Sequence, residues 1–109
     1  MSRPVMSGTS DSFQAAVLDA ATPVVVEFTA SWCPPCRRLE PLVRELAVRH
    51  AGRIAVVVVD VEASPELAQT YHVTSMPTLL GFRGGAVVAQ QVGFASRAPV
   101  ERFFADLAA

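Results

Sequence analysis

The chain has 109 residues, 51% of them hydrophobic and 17% charged, which suits one compact domain and excludes a disordered chain. Its net charge of −1 offers no electrostatic footprint for nucleic acid. The longest uncharged apolar run, at residues 54–59, falls far short of the roughly 20 residues a membrane helix needs.

Residues 1–10 are polar, lack the apolar stretch of a secretory signal, and read as a loosely held lead-in. Within them Val5, Met6, Ser7 and Gly8 are at best a weak strand ending on Gly. The single domain is expected over residues 11–109. Asp11 or Ser12 is placed to cap a helix whose Phe13, Ala16, Val17 and Ala20 recur at helical spacing, until Thr22-Pro23 stops it. Val24, Val25, Val26, Glu27 and Phe28 then predict a strand buried on both sides, and residues 54–59 a second. Between them Cys36, Leu39, Val43, Leu46 and His50, spaced 3, 4, 3 and 4, are the core face of a helix in which Pro41 predicts a kink. Residues 65–71 form a short helix with Leu67, Ala68 and Tyr71 inward. Residues 78–82 and 86–92 flank Arg83-Gly84-Gly85 as a hairpin. Residues 97–107 close the chain as an amphipathic helix burying Val100, Phe103, Phe104 and Leu107. Helices alternating with strands buried on both sides, followed by a hairpin, predict an α/β layered fold with a mixed sheet.

The chemistry concentrates at Trp32-Cys33-Pro34-Pro35-Cys36, where a buried strand turns into a helix. Cysteines three apart at a helix tip bring both sulfurs within bonding range. The tip leaves N–H groups unpaired and presents the positive end of the helix dipole. Cys33 there is expected to ionise below the usual value of about 8.5, while Cys36, one turn in and desolvated, keeps its proton longer. The pair therefore divides into a nucleophile and a resolving thiol, with Arg37 and Arg38 adding positive charge. Haem attachment requires a His after the second Cys, and Arg37 stands there. Two other readings stay open. One is a structural disulfide, disfavoured by its tiny loop. The other is half a zinc site, for which His50 and His72 lie at no ligand-like spacing.

Residues 24–37, then Pro41, then Ser75-Met76-Pro77-Thr78-Leu79, then Gly84-Gly85 and Val92-Gly93 resemble the thioredoxin family over nearly the whole chain. The resemblance implies the thioredoxin fold: a central mixed β-sheet of parallel strands plus a C-terminal antiparallel hairpin, flanked by helices on both faces. It implies a protein-disulfide reductase acting through Cys33 and Cys36, for which no bound cofactor is needed; the lack of a signal-like stretch predicts a cytoplasmic location, and with no sign of an oligomer a monomer is expected. Its partners would be disulfide-containing proteins and a thioredoxin-reductase-type electron donor, NADPH-dependent by analogy. Trp32, Pro34, Pro35, Ser75, Met76, Gly93 and Phe94 would form the substrate-binding surface. Pro77 would be a cis proline that exposes the Met76 backbone for strand-like pairing with an extended substrate.

Three positions depart from the family pattern. Glu27 stands where the family usually has Asp, a buried acid that exchanges a proton with the resolving thiol. The family's frequent Lys neighbour is Val58, so burial is uncompensated and the Glu27 carboxyl is expected to titrate high. Pro34 replaces the usual Gly and removes an N–H donor. Thr29 replaces a common second Trp, leaving Trp32 as the only one. The alternatives are a disulfide oxidase or isomerase of higher potential, against which the lack of a signal segment argues, and a redox-switched binding module. His50 and His72 are read as structural.

Overall fold

The computed structural model describes residues 5–109. Five strands form one sheet in the order β1-β3-β2-β4-β5, with β1 at Val5–Gly8, β2 at Val24–Thr29, β3 at Ala55–Asp60, β4 at Thr78–Arg83 and β5 at Ala86–Val92. β1 and β2 run parallel to β3, whereas β4 lies antiparallel to β2 and β5 to β4. This is the mixed sheet expected, with the thioredoxin arrangement of parallel strands and closing hairpin. The helices are α1 (Pro34–Arg49), α2 (Pro65–Thr70) and α3 (Arg97–Ala108). None is long and apolar enough to cross a membrane.

Two core clusters lie on opposite faces of the sheet. Val25, Val56 and Leu79 pack with Leu39, Val43 and Leu46 of α1 and Val100, Phe104 and Leu107 of α3. Val24, Val26, Phe28, Val57, Val59, Leu80 and Phe82 pack on the other side with Phe13, Val17, Leu67 and Ala68. The apolar residues of β2 alternate between these two clusters, so both faces of the strand are covered.

Four details correct the sequence reading. Of the expected lead-in, Val5–Gly8 pairs as an edge strand with residues 56–59; residues 1–4 lie outside the described residues. A Cβ on Gly8 would collide with Val57, so the glycine that lowers strand propensity is what lets this edge close. The first predicted helix is a π-helical turn, Gln14–Leu18, in which the Asp19 N–H donates to the Gln14 carbonyl at 2.8 Å. Neither Asp11 nor Ser12 caps it. The Ser12 hydroxyl instead accepts from the Thr9 N–H at 2.9 Å. Finally, α1 begins at Pro34 and continues through Pro41 to Arg49 as one helix.

Both ends of the hairpin loop are glycine for a reason. Gly84 and Gly85 have φ of 60° and 80°, which a two-residue turn matching the strand twist requires. His72 also takes a positive φ, 57°. It closes α2 in a Schellman turn, its N–H donating to Gln69 and the Val73 N–H to Ala68. His50 ends α1, buried against the Phe104 ring at a centroid separation of 6.0 Å. Its Nδ1 finds no hydrogen-bond partner among the described residues.

Candidate active site

The end of β2 and the start of α1 bring the two cysteines together. After Thr29 the chain turns through Ala30 to Trp32, closed by the Cys33 N–H donating to the Ala30 carbonyl at 3.3 Å. Cys33 is the N-cap of α1, in extended backbone (φ −102°, ψ 104°), as the residue before a proline must be. Cys33 and Cys36 are joined by a disulfide with Cα atoms 5.3 Å apart, and both are 2% exposed.

Cys33 Sγ occupies the place of a capping oxygen. The Cys36 N–H donates to it at 3.3 Å. Pro34 and Pro35 fill the first two helical positions and have no N–H, so Cys36 is the sole donor the first turn aims at the sulfur. On its other side Cys33 Sγ lies 3.5 Å from the Met76 carbonyl oxygen. Ala30, Val61 and Met76 pack on the pair. Trp32, beside it, is 63% exposed.

The loop before β4 supplies the facing wall. The Met76–Pro77 peptide bond is cis, in line with the resemblance, and Pro77 is buried. Two hydrogen bonds fix this loop. The Thr78 hydroxyl donates to the Ser75 carbonyl at 2.7 Å, and the Gly93 N–H donates to the Pro77 carbonyl at 2.7 Å. Gly93 does so at φ 80°, a conformation that favours glycine. Phe94 is half-buried against the α1/α3 core cluster, while Met76 is the member of the expected rim that packs on the cysteines. Pro34 and Ser75 are exposed and Pro35 is half-buried.

Sequence reasoning missed Val61. It follows β3, where its N–H donates to the Thr29 carbonyl at 3.0 Å, and that bond brings it against the cysteines. Only the β2–β3 register could have found it. A polar fringe surrounds the same turn: the Ser31 hydroxyl donates to Glu62 at 2.9 Å, and the Arg37 guanidinium to the Ser31 carbonyl at 3.1 Å.

Glu27 sits in the middle of β2, paired with Val58 on β3 and Leu79 on β4. It is 2% exposed, and no hydrogen-bond donor among the described residues reaches its carboxylate. Burial, and secondarily the nearby negative charge of Glu40, push its pKa up to about 7. With Val58 in place of a cation, desolvation is unanswered and the neutral acid is favoured.

A family model described as Thioredoxin matches residues 4–106. Thioredoxin C-2 of Corynebacterium nephridii is 45% identical over 103 residues, 94% of this chain and 95% of that protein. Thioredoxin 1 of Nostoc is 44% identical over 85 residues, 78% and 79% of the two chains. A bifunctional thioredoxin reductase/thioredoxin of Mycobacterium leprae is 37% identical over 99 residues, 91% of this chain but 22% of the longer protein. With its fold, its bonded Cys-x-x-Cys pair and these relatives, the chain belongs to the thioredoxin family, the protein-disulfide oxidoreductases that work by dithiol–disulfide exchange.

Proposed function

We propose that the protein is a general cytoplasmic disulfide reductase in which Cys33 attacks, Cys36 resolves and Glu27 serves as the base for Cys36. The observation that carries this is the placement of Cys33 Sγ on the N-cap of α1, accepting from the Cys36 N–H at 3.3 Å. A thiolate there gains a charge-assisted hydrogen bond and the positive end of the helix dipole.

In the first step the Cys33 thiolate attacks one sulfur of a substrate disulfide. A mixed disulfide forms and the other substrate sulfur leaves as a thiolate. In the second step Glu27 takes the proton of the Cys36 thiol, and the Cys36 sulfur attacks Cys33 Sγ. The Cys33–substrate bond breaks and its electron pair leaves on the substrate thiolate. The substrate has gained two electrons and the protein holds the Cys33–Cys36 disulfide. No bound cofactor is needed, since a thioredoxin-reductase-type donor restores the dithiol; the reductase-fused relative supports such a pairing.

The exposed Trp32 and Pro34, with the half-buried Met76 and Phe94, form the apolar surface on which a substrate docks. The Met76 backbone at Pro77 pairs with an extended substrate segment, and Pro35, Ser75 and Gly93 shape the rim.

Two measurements test the reading. Cys36→Ser is expected to accumulate a mixed disulfide at Cys33, visible by mass spectrometry, and Cys33→Ser none. Titrating the couple in redox buffers, with Trp32 fluorescence as the readout, is expected to give a midpoint of about −270 mV. A value between about −180 and −120 mV would instead assign isomerase or oxidase work.

A further inference from the structure

Glu27 is not sealed in the core. It lines a cavity of about 620 Å³ between the sheet and α1, with Val5 and Ser7 of β1, Thr29 of β2, Val58 of β3, and Glu40, Val43, Arg44 and Val48 of α1. Leu79, its partner on β4, is apolar. Among the described residues that face Glu27 from these elements, Glu40 and Arg44 are the charged ones. They form an ion pair at 2.9 Å, both exposed. Cys36, Glu40 and Arg44 follow one another at intervals of four, which puts them along a single ridge of α1. The resolving sulfur, the acid and its cation therefore share one helix face, and the last two stand over the chamber that holds the base.

We infer that the Glu40–Arg44 pair is a tuning device for Glu27, setting the pH above which the resolving step has its base. This rests on the proton-accepting role proposed for Glu27. The proton passes from the Cys36 thiol to the Glu27 carboxylate as Cys36 attacks, and then leaves to water through the cavity. Before the next turnover Glu27 must become an anion again, close to a second carboxylate. Glu40 opposes that charge, in keeping with its contribution to the raised titration of Glu27. Arg44, bound to Glu40 and facing the same cavity, offsets it. Neither touches the sulfurs, so both act through Glu27.

The assay is the carboxyl carbon resonance of Glu27 in protein labelled with carbon-13 glutamate, followed through pH in the disulfide form, where neither cysteine titrates. Glu40→Gln is expected to lower the Glu27 midpoint by about 0.2 to 0.7 unit, the range of an exposed charge pair. Arg44→Gln is expected to raise it, and Glu40→Asp to leave it near the wild-type value. The differences shrink at 1 M salt, where the screening length falls to about 3 Å. Simple disturbance of the packing over the cavity would move both Gln variants the same way. That result, or no movement, overturns the inference. The proton-accepting role is tested separately, by the pH dependence of resolution from a preformed Cys33 mixed disulfide. The three midpoints are expected to reappear there in the same order. A profile flat across the Glu27 titration would overturn the base role and the kinetic half of the inference, while the resonance shifts would still report the electrostatic half.

Discussion

Glu27→Gln is expected to stabilise the protein, and only above acid pH. The Glu27 carboxyl titrates at about 7 in the folded chain against an ordinary value of 4.5. Between those values the folded state binds more protons than the unfolded state, so stability falls as pH rises through this window. The difference, at 1.36 kcal/mol per unit, amounts to about 3 kcal/mol once pH exceeds about 7. Gln has the shape of the neutral acid and does not titrate. The variant should therefore match wild type near pH 4 and exceed it by up to about 3 kcal/mol at pH 8. In a domain of this size that is roughly 10 °C or more in melting temperature. Urea denaturation at pH steps from 4 to 9 reads it directly. A constant difference at every pH, or none at pH 8, would refute the argument that ionisation in place is what destabilises the fold. The same variant should resolve mixed disulfides more slowly, since stability and activity conflict at this one carboxylate.

Pro35→Ala restores an N–H in the first turn that can reach Cys33 Sγ. One charge-assisted bond, about 1.5 to 3 kcal/mol, should raise the midpoint potential by about 30 to 60 mV; an unchanged or lower potential in glutathione buffers would count against the Cys36 N–H being the sole donor. His50 is held below its ordinary pKa of 6.5 by burial and by Arg53 and Arg49. Its folded value lies below its unfolded one, so stability is lost as pH falls below about 6.5. His50→Phe should remove that part of the acid sensitivity, which denaturation midpoints at pH 5 and 8 would measure. His72→Gly relieves a left-handed non-glycine residue and should add about 0.5 to 1 kcal/mol, after the entropic cost of glycine; a loss of stability in the same denaturation assay would refute the strain.

What the sequence made legible was local. The Cys33–Cys36 pair, the Gly84-Gly85 hairpin and the apolar stripe of α3 each declare themselves within a few residues, because turn chemistry and periodicity are short-range signals. The buried acid was legible for a similar reason: Glu27 interrupts an otherwise apolar run, where a charge is costly. The rest depended on partners far along the chain. Val5–Gly8 looks poor as a strand because propensity counts Gly8 against it, whereas contact with Val57 demands a residue without a Cβ. Val61 meets the cysteines only through the register of β2 against β3. Glu40 reads as an ordinary exposed helical acid. That it stands at the cavity of Glu27 follows from how α1 lies across the sheet, which no spacing in the sequence encodes.

The strand order also bears on the chain before it folds. β2 is the central strand, yet its neighbours β3 and β4 both follow it in sequence. A growing chain therefore carries Val24, Val25, Val26 and Phe28 uncovered until β4 has emerged. Short, uncharged, β-prone runs of this kind stack into cross-β aggregates, and a charge within the run prevents it. In the unfolded chain Glu27 titrates at its ordinary value and is an anion at neutral pH. The residue that weakens the finished fold thus serves the nascent strand as a gatekeeper, fully charged while exposed and about half neutralised once buried.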